Sequence, residues 1–286
     1  MSANLEGKIK IELGEVQKTL LLPLLGRARD YESRNSILKD KYAHDIVERL
    51  DYDFGDFLQR APGQFMINCA VRAYHLDSAL RETIARHPDT TVVNIGAGLD
   101  TAFQRVDNGR IYWYDLDLPD TIALRRKLIA EGERNRFIAK SVFDTTWFKD
   151  IELRGSKIFF IAAGVLVYLP EDQTRKVFEG MIREFPGSEI MFDIYSRKLM
   201  WLRNKTIASG RVKSELFVTH RWAVNSARKV ARWNDRISIV DAFPYYSRID
   251  LGKYWDAKDL APLRLLNFFR MIKMVHLRLG YHENQF

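Results

Sequence analysis

The chain contains one cysteine, Cys69, in 286 residues. No internal disulfide can form, so folding does not depend on an oxidising compartment, and cytoplasmic residence is the expectation. Long apolar runs are missing as well. The longest near the N-terminus, Leu20 to Leu25, is broken by Pro23 and is too short to span a bilayer, so neither a signal peptide nor a membrane anchor is expected. There is no internal repeat, no low-complexity linker and no group of residues that reads as a metal site.

What is present belongs to a folded globular protein. Hydrophobic residues make up 47% and charged residues 29%, which excludes a disordered or membrane chain. The length suits one α/β core with helical additions better than two full domains. Forty-five Lys and Arg against 37 Asp and Glu give a net charge of +8, which favours anionic ligands. Basic residues gather modestly from Arg197 to Arg236, without the Lys/Arg stripe or aromatic signature of a nucleic-acid module. They read as a solvated basic face, so neither a nucleic-acid nor a membrane partner is expected, and the oligomeric state leaves no mark.

The pattern divides one domain into four stretches. Residues 1–90 form a helical N-terminal extension, with Pro23 as a break or helix start and a further helix from about Gln64 to Ala85. Residues 91–196 form an α/β core: strands Thr91–Ile95, Ile111–Tyr114, Phe137–Ser141, Ile158–Ala162 and Glu189–Ile194 alternate with helices, which implies a mainly parallel sheet. In the helix over 171–185, Val177, Phe178, Met181, Ile182 and Phe185 share one face. Residues 197–236 are a basic helical insertion, long enough to form a lid. Residues 237–286 hold the closing strands, Ile237–Val240 and Ile272–Leu279, with Lys273 and His276 disturbing the last.

Three strand ends carry the chemistry. The segment "TVVNIGAGLDTAFQRV" runs a buried strand into Gly96-Ala97-Gly98 and then a helix with Asp100 as its expected N-cap. Thr101 stands where a dinucleotide fingerprint would place its third glycine, so the turn suits a nucleoside better than a diphosphate. About 20 residues beyond Gly96, "RIYWYDLDLP" presents Asp115 and Asp117, positioned to accept ribose hydroxyls or, equally, to cap the helix behind Pro119. "AKSVFDTTW" ends the third strand with Asp144, which suits an adenine amine and also suits a simple turn.

Taken in order, "TLLLPLLGRA", "VVNIGAGLDTAFQRV", "YDLDLPDTIALRRKL", "FFIAAGVLVYLPED" and "MVHLRLG" resemble the leucine carboxyl methyltransferase family, and within it the bacterial polyketide O-methyltransferases. A GAGxDT turn paired with a DxDLP segment is far more specific than GxG alone. The resemblance implies a Rossmann-like class I methyltransferase fold: a seven-stranded, mostly parallel sheet with an antiparallel last strand, N-terminal helices and a helical lid. It implies S-adenosylmethionine as cofactor. Gly96, Ala97 and Gly98 then match the methionine-side turn, Asp117 with Asp115 the ribose carboxylates, and Asp144 with Thr145 the adenine contacts. Arg72, in "VRAYHLD", matches an arginine that pairs with the cofactor carboxylate, and Arg27 matches a second basic residue there. Ala163, in "IAAGVLVYL", stands where many members carry glutamate.

That departure favours O-methylation of a hydroxyl or carboxyl on a small molecule over a protein C-terminus. A carboxylate acceptor needs no base, whereas a hydroxyl must lose its proton. Tyr168, Tyr195 and His220 are the candidates on the acceptor side, and each also has a structural reading. Two readings from other classes remain at this point: a nicotinamide-dependent oxidoreductase, which would share the turn and the carboxylate, and a non-catalytic basic binding module.

Overall fold

The computed structural model describes residues 8–10, 15–55, 63–209 and 221–280. Seven strands form one sheet: β1 (Thr91–Ile95), β2 (Tyr112–Asp117), β3 (Asn135–Ala139), β4 (Ile158–Ala162), β5 (Glu189–Tyr195), β6 (Ile237–Pro244) and β7 (Ile272–Leu279). Their order is β3-β2-β1-β4-β5-β7-β6, and β7 runs antiparallel to both of its neighbours while the other pairings are parallel. The seven strands and the antiparallel last one are as expected. Every residue of "TVVNI" and of "IFFIA" is buried, because helices cover both faces of these central strands.

Helix α1 (Glu15–Glu32) and α2 (Lys41–Arg49) precede the long α3 (Gly63–Arg86). Helix α3 covers one face of the sheet, placing Ile67, Val71, Leu76, Leu80 and Ile84 in one cluster with Val92, Trp113, Phe159 and Ile161. Between the strands lie α4 (Ala102–Val106), α5 (Pro119–Leu128) and α6 (Glu171–Glu184). The apolar face of α6 packs as its spacing requires: Val177, Phe178, Met181, Ile182 and the adjoining Phe185 join Phe160 and Phe192 on the other side of the sheet.

The structure departs from the sequence reading in four places. Pro23 lies inside α1 and does not break it. An interior proline costs a helix about 3 kcal/mol, and the neighbouring Leu21, Leu22, Leu24 and Leu25, all nearly fully buried, offset that penalty. Within the expected helical stretch, Ile9–Lys10 and Leu50–Asp51 instead form a short parallel pair. The N-cap of α4 is Thr101, not Asp100, and it makes no side-chain cap bond, its hydroxyl donating to Asp40 instead, while Asp100 pairs with Arg105. The insertion after β5 contains α7 (Arg197–Ala208) and α8 (Ala227–Ala231), and a further helix, α9 (Ala257–Phe268), separates the two closing strands.

Strand order reverses between β1 and β4, which lead to opposite sides of the sheet. A crevice outside the carboxyl ends of the strands is the consequence.

Candidate active site

Five strand ends open onto one cleft of about 360 Å³. Its lining includes Gly96 to Asp100 after β1, Asp117 from β2 and Leu118 just after it, Lys140 to Phe143 after β3, Ala163 to Val165 after β4, and Tyr195 from β5. Helix α1 adds Leu20, Leu22, Pro23 and Arg27; α3 adds Cys69, Arg72, Ala73 and Leu76; α7 adds Arg203. The volume falls within the range of small-molecule sites.

The glycine turn and the β2 carboxylate are joined directly. The Gly96 and Ala97 amides both donate to the Leu116 carbonyl, at 2.8 and 3.2 Å, which carries the β1–β2 pairing into the turn. The Gly98 amide then donates to Oδ2 of Asp117 at 2.7 Å, and the Leu118 amide to its Oδ1 at 2.7 Å. Burial pushes the Asp117 carboxyl up, and these two amides pull it back. Gly96 has φ +64°, and a Cβ there would stand 2.4 Å from Cγ2 of Val165. The backbone can take this path past the post-β4 loop because residue 96 has no side chain.

Arg27 and Arg72 enter from the helices. Arg27 donates from Nε to Asp40 Oδ2 (3.1 Å) and from Nη2 to the Leu99 carbonyl (2.8 Å). Asp40, fully buried, also accepts from Thr101 Oγ1 at 2.6 Å, from Arg105 Nη1 at 2.7 Å and from the Ala43 amide at 3.0 Å. Arg105 further grips Asp77 through Nε at 2.7 Å and Nη2 at 3.0 Å. Burial works against the Asp100 charge, yet Arg105, Arg27 and Arg125 hold its carboxyl below the usual range. Thr101, in the position of the absent third glycine, thus ties the turn to α2.

The placement of the other expected site residues is mixed. Ala97 and Ala163 line the cleft, as do Tyr168 and Tyr195. Asp115 does not. Its carboxylate is fully buried behind β2, where it takes Arg125 Nη2 at 2.6 Å, Trp113 Nε1 at 2.8 Å and Asn94 Nδ2 at 3.1 Å. Two residues apart, Asp115 and Asp117 share one face of β2; Asp117 stands at the strand end, whereas Asp115 sits a step back beneath the glycine turn, where Arg125 also donates to the Gly98 and Asp100 carbonyls at 3.0 and 2.8 Å. Asp144 and Thr145 are also outside the lining and exposed; Asp144 accepts from the Thr146 amide and hydroxyl at 3.1 and 2.7 Å, a turn cap. His220 lies outside the described residues.

Burial pushes both Tyr168 and Tyr195 up, so each phenol keeps its proton at neutral pH. Sequence reasoning missed Arg203, Asp193 and the Asp40 hub. Arg203 sits in a basic helix among similar residues, and no spacing rule joins Asp40 to Thr101 and Arg105, more than 60 positions away. Among the described residues no group of His, Cys, Asp and Glu could hold a metal ion, and no helix is long and apolar enough to cross a membrane.

Comparison with known proteins agrees with this architecture. The tetracenomycin polyketide synthesis O-methyltransferase TcmP of Streptomyces glaucescens is 33% identical over 184 residues, covering 64% of this chain and 67% of that protein. The S-adenosyl-L-methionine-dependent methyltransferase dpfgK of Gibberella zeae is 30% identical over 211 residues, covering 68% and 70%. A crystal structure of a DUF574 family protein from Streptomyces avermitilis shares the fold, with a TM-score of 0.57 at 14% identity over 87% of this chain and 99% of that one. The nicotinamide reading is thereby set aside. The model of the leucine carboxyl methyltransferase family matches residues 21–182, more than half of the chain, and the protein belongs to that family and is a methyltransferase.

Proposed function

We propose that the chain binds S-adenosylmethionine in the cleft between Gly98 and Asp117 and methylates an oxygen of a small polyketide-type acceptor. The observation that carries this reading is the 2.7 Å bond from the Gly98 amide to Asp117, which sets a carboxylate beside a glycine turn in one cleft. The residues fit the cofactor's chemistry. Asp117 retains lone pairs for two ribose hydroxyls, and Arg27 and Arg72 offer guanidinium groups for an amino-acid carboxylate. Leu118, Val142 and Phe143 supply apolar surface for a base, a role first expected of Asp144 and Thr145.

When bound, S-adenosylmethionine supplies a methyl group on a positively charged sulfur. The chain's part is to hold the acceptor oxygen in line, and such alignment can supply about 7–11 kcal/mol. Leu22, Pro23, Cys69, Tyr168 and Tyr195 wall the acceptor side and exclude water, which favours the dispersal of charge. Protonated Tyr168 and Tyr195 orient an acceptor oxygen by donation, and the Arg72 and Arg203 charges favour an acceptor already ionised. The lone buried cysteine suits a reducing compartment, so the reading places the reaction in the cytoplasm.

S-adenosylhomocysteine at millimolar concentration should raise the melting temperature of the protein by several degrees. Asp117→Ala should remove most of that shift. No shift with the wild-type chain would defeat the cofactor assignment, and methyl transfer to a protein C-terminus but not to aromatic polyketide acids or phenols would defeat the acceptor assignment.

A further inference from the structure

The outer faces of α7 and α9 form an exposed surface that the cleft does not use. Along α7, Lys198, Trp201, Leu202 and Lys205 recur every three or four residues and share a face. All four are exposed, with Trp201 at 60%. On α9 and just beyond it, Leu265, Phe268 and Phe269 do the same, and Phe268 is 79% exposed. The two faces adjoin: Lys198 Nζ lies 5.8 Å from the Phe269 ring centre, and the Ser196 amide donates to the Met271 carbonyl at 2.8 Å. The inner face of α7 turns the other way, burying Met200 and lending Arg203 to the cleft.

Clustered exposed aromatics of this kind mark a contact surface, and the surrounding charge says with what. Residues 197–208 carry Arg197, Lys198, Arg203 and Lys205 and no acidic residue; residues 257–280 carry Lys258, Arg264, Arg270, Lys273 and Arg278 against Asp259 alone. Of these, Arg197, Lys198, Lys205, Arg264 and Arg270 are exposed on or around the apolar patch. A second copy meeting the same patch across a two-fold axis would set cation against cation. An anionic lipid surface complements the patch on both counts: tryptophan and phenylalanine rest at headgroup depth, while lysine and arginine pair with lipid phosphates.

We propose that these two helix faces seat the protein on an anionic lipid surface, with Trp201 and Phe268 entering the headgroup boundary and Lys198, Lys205 and Arg264 meeting phosphates. Among the described residues no helix is long and apolar enough to cross a membrane, and surface seating requires none. The inference is independent of the methyl-transfer reading.

Flotation of the full chain with vesicles of phosphatidylcholine, or of equal parts phosphatidylcholine and phosphatidylglycerol, tests it. Binding to the anionic vesicles alone is expected, weakening as salt rises. Trp201→Ser combined with Phe268→Ser should weaken it by about tenfold or more, and Lys198→Glu combined with Lys205→Glu by a similar factor. The stabilisation by S-adenosylhomocysteine should be unchanged in both variants, which separates loss of seating from loss of the fold or cleft. Absence of binding to anionic vesicles would overturn the proposal. So would wild-type binding by the Trp201 and Phe268 variant, which would leave only diffuse attraction, or a dimer in light scattering that the same variant dissociates.

Discussion

Arg72 and Asp193 face each other across Gly164: Arg72 Nη1 lies 3.6 Å from Asp193 Oδ2, while the Gly164 amide donates to Asp193 Oδ1 at 2.6 Å. A Cβ on Gly164, which has φ +66°, would stand 2.1 Å from that same Nη1. Gly164→Ala should therefore displace the guanidinium from the cleft as well as strain the backbone. Titration calorimetry is expected to show S-adenosylhomocysteine binding weakened by about tenfold, the scale of one charge-assisted hydrogen bond.

Gly96→Ala tests the close approach of the first turn to Val165. The substitution should destabilise the fold by about 1–3 kcal/mol through its positive φ, with a further cost from the 2.4 Å approach to Cγ2. Val165→Ala in the same chain should recover the contact part and leave the backbone part. Denaturant midpoints of the two single variants and the double variant separate them, and strict additivity would disprove the contact.

Removing the Asp40 carboxylate leaves the charges of Arg27 and Arg105 with less compensation in a buried site. Asp40→Ala is expected to cost about 3–5 kcal/mol, read from urea unfolding. Asp40→Asn, which keeps the shape and can still accept hydrogen bonds, should cost less. Asp40→Ala should bind S-adenosylhomocysteine more weakly, because Arg27 loses its Nε partner, and Asp40→Asn, which keeps an acceptor oxygen, should lose less.

His75 provides the pH dependence. Burial lowers its pKa from 6.5 to about 4, against the hydrogen bond it makes with the Tyr245 carbonyl at 2.7 Å and with Arg248 adding to the depression. The unfolded chain takes up a proton near pH 6.5, whereas the folded chain resists until near pH 4. Stability therefore falls as pH drops through that window, by on the order of 3 kcal/mol for the full shift. Unfolding free energies of wild type and His75→Gln at pH 7.5 and 4.5 should differ in slope, the variant being flatter.

The sheet was legible because its signals are local. Strands as apolar as "TVVNI" and "IFFIA" stand out without reference to their neighbours, and glycines at 96 and 98 announce a turn. Helix α9 also had a local signal, with Asp256 as N-cap and Leu260 and Leu263 buried on one face, but Pro262 within it suggests a break. Depth along a strand end was harder. Asp115 and Asp117 look alike in sequence and share a face of β2, but the first, two residues back from the strand end, is held by Arg125, Trp113 and Asn94, and only the second reaches the cleft. The Asp40 hub joins α2, α1 and α4 over distances that no periodicity encodes.

One wall of the cleft comes from α1, through Leu20, Leu22, Pro23 and Arg27. The sheet domain cut out at residue 91 would thus be an open bowl with one side missing. On the proposed placement of the acceptor against Leu22 and Pro23, a chimera with a relative's first fifty residues would reshape that wall while the sheet stays untouched.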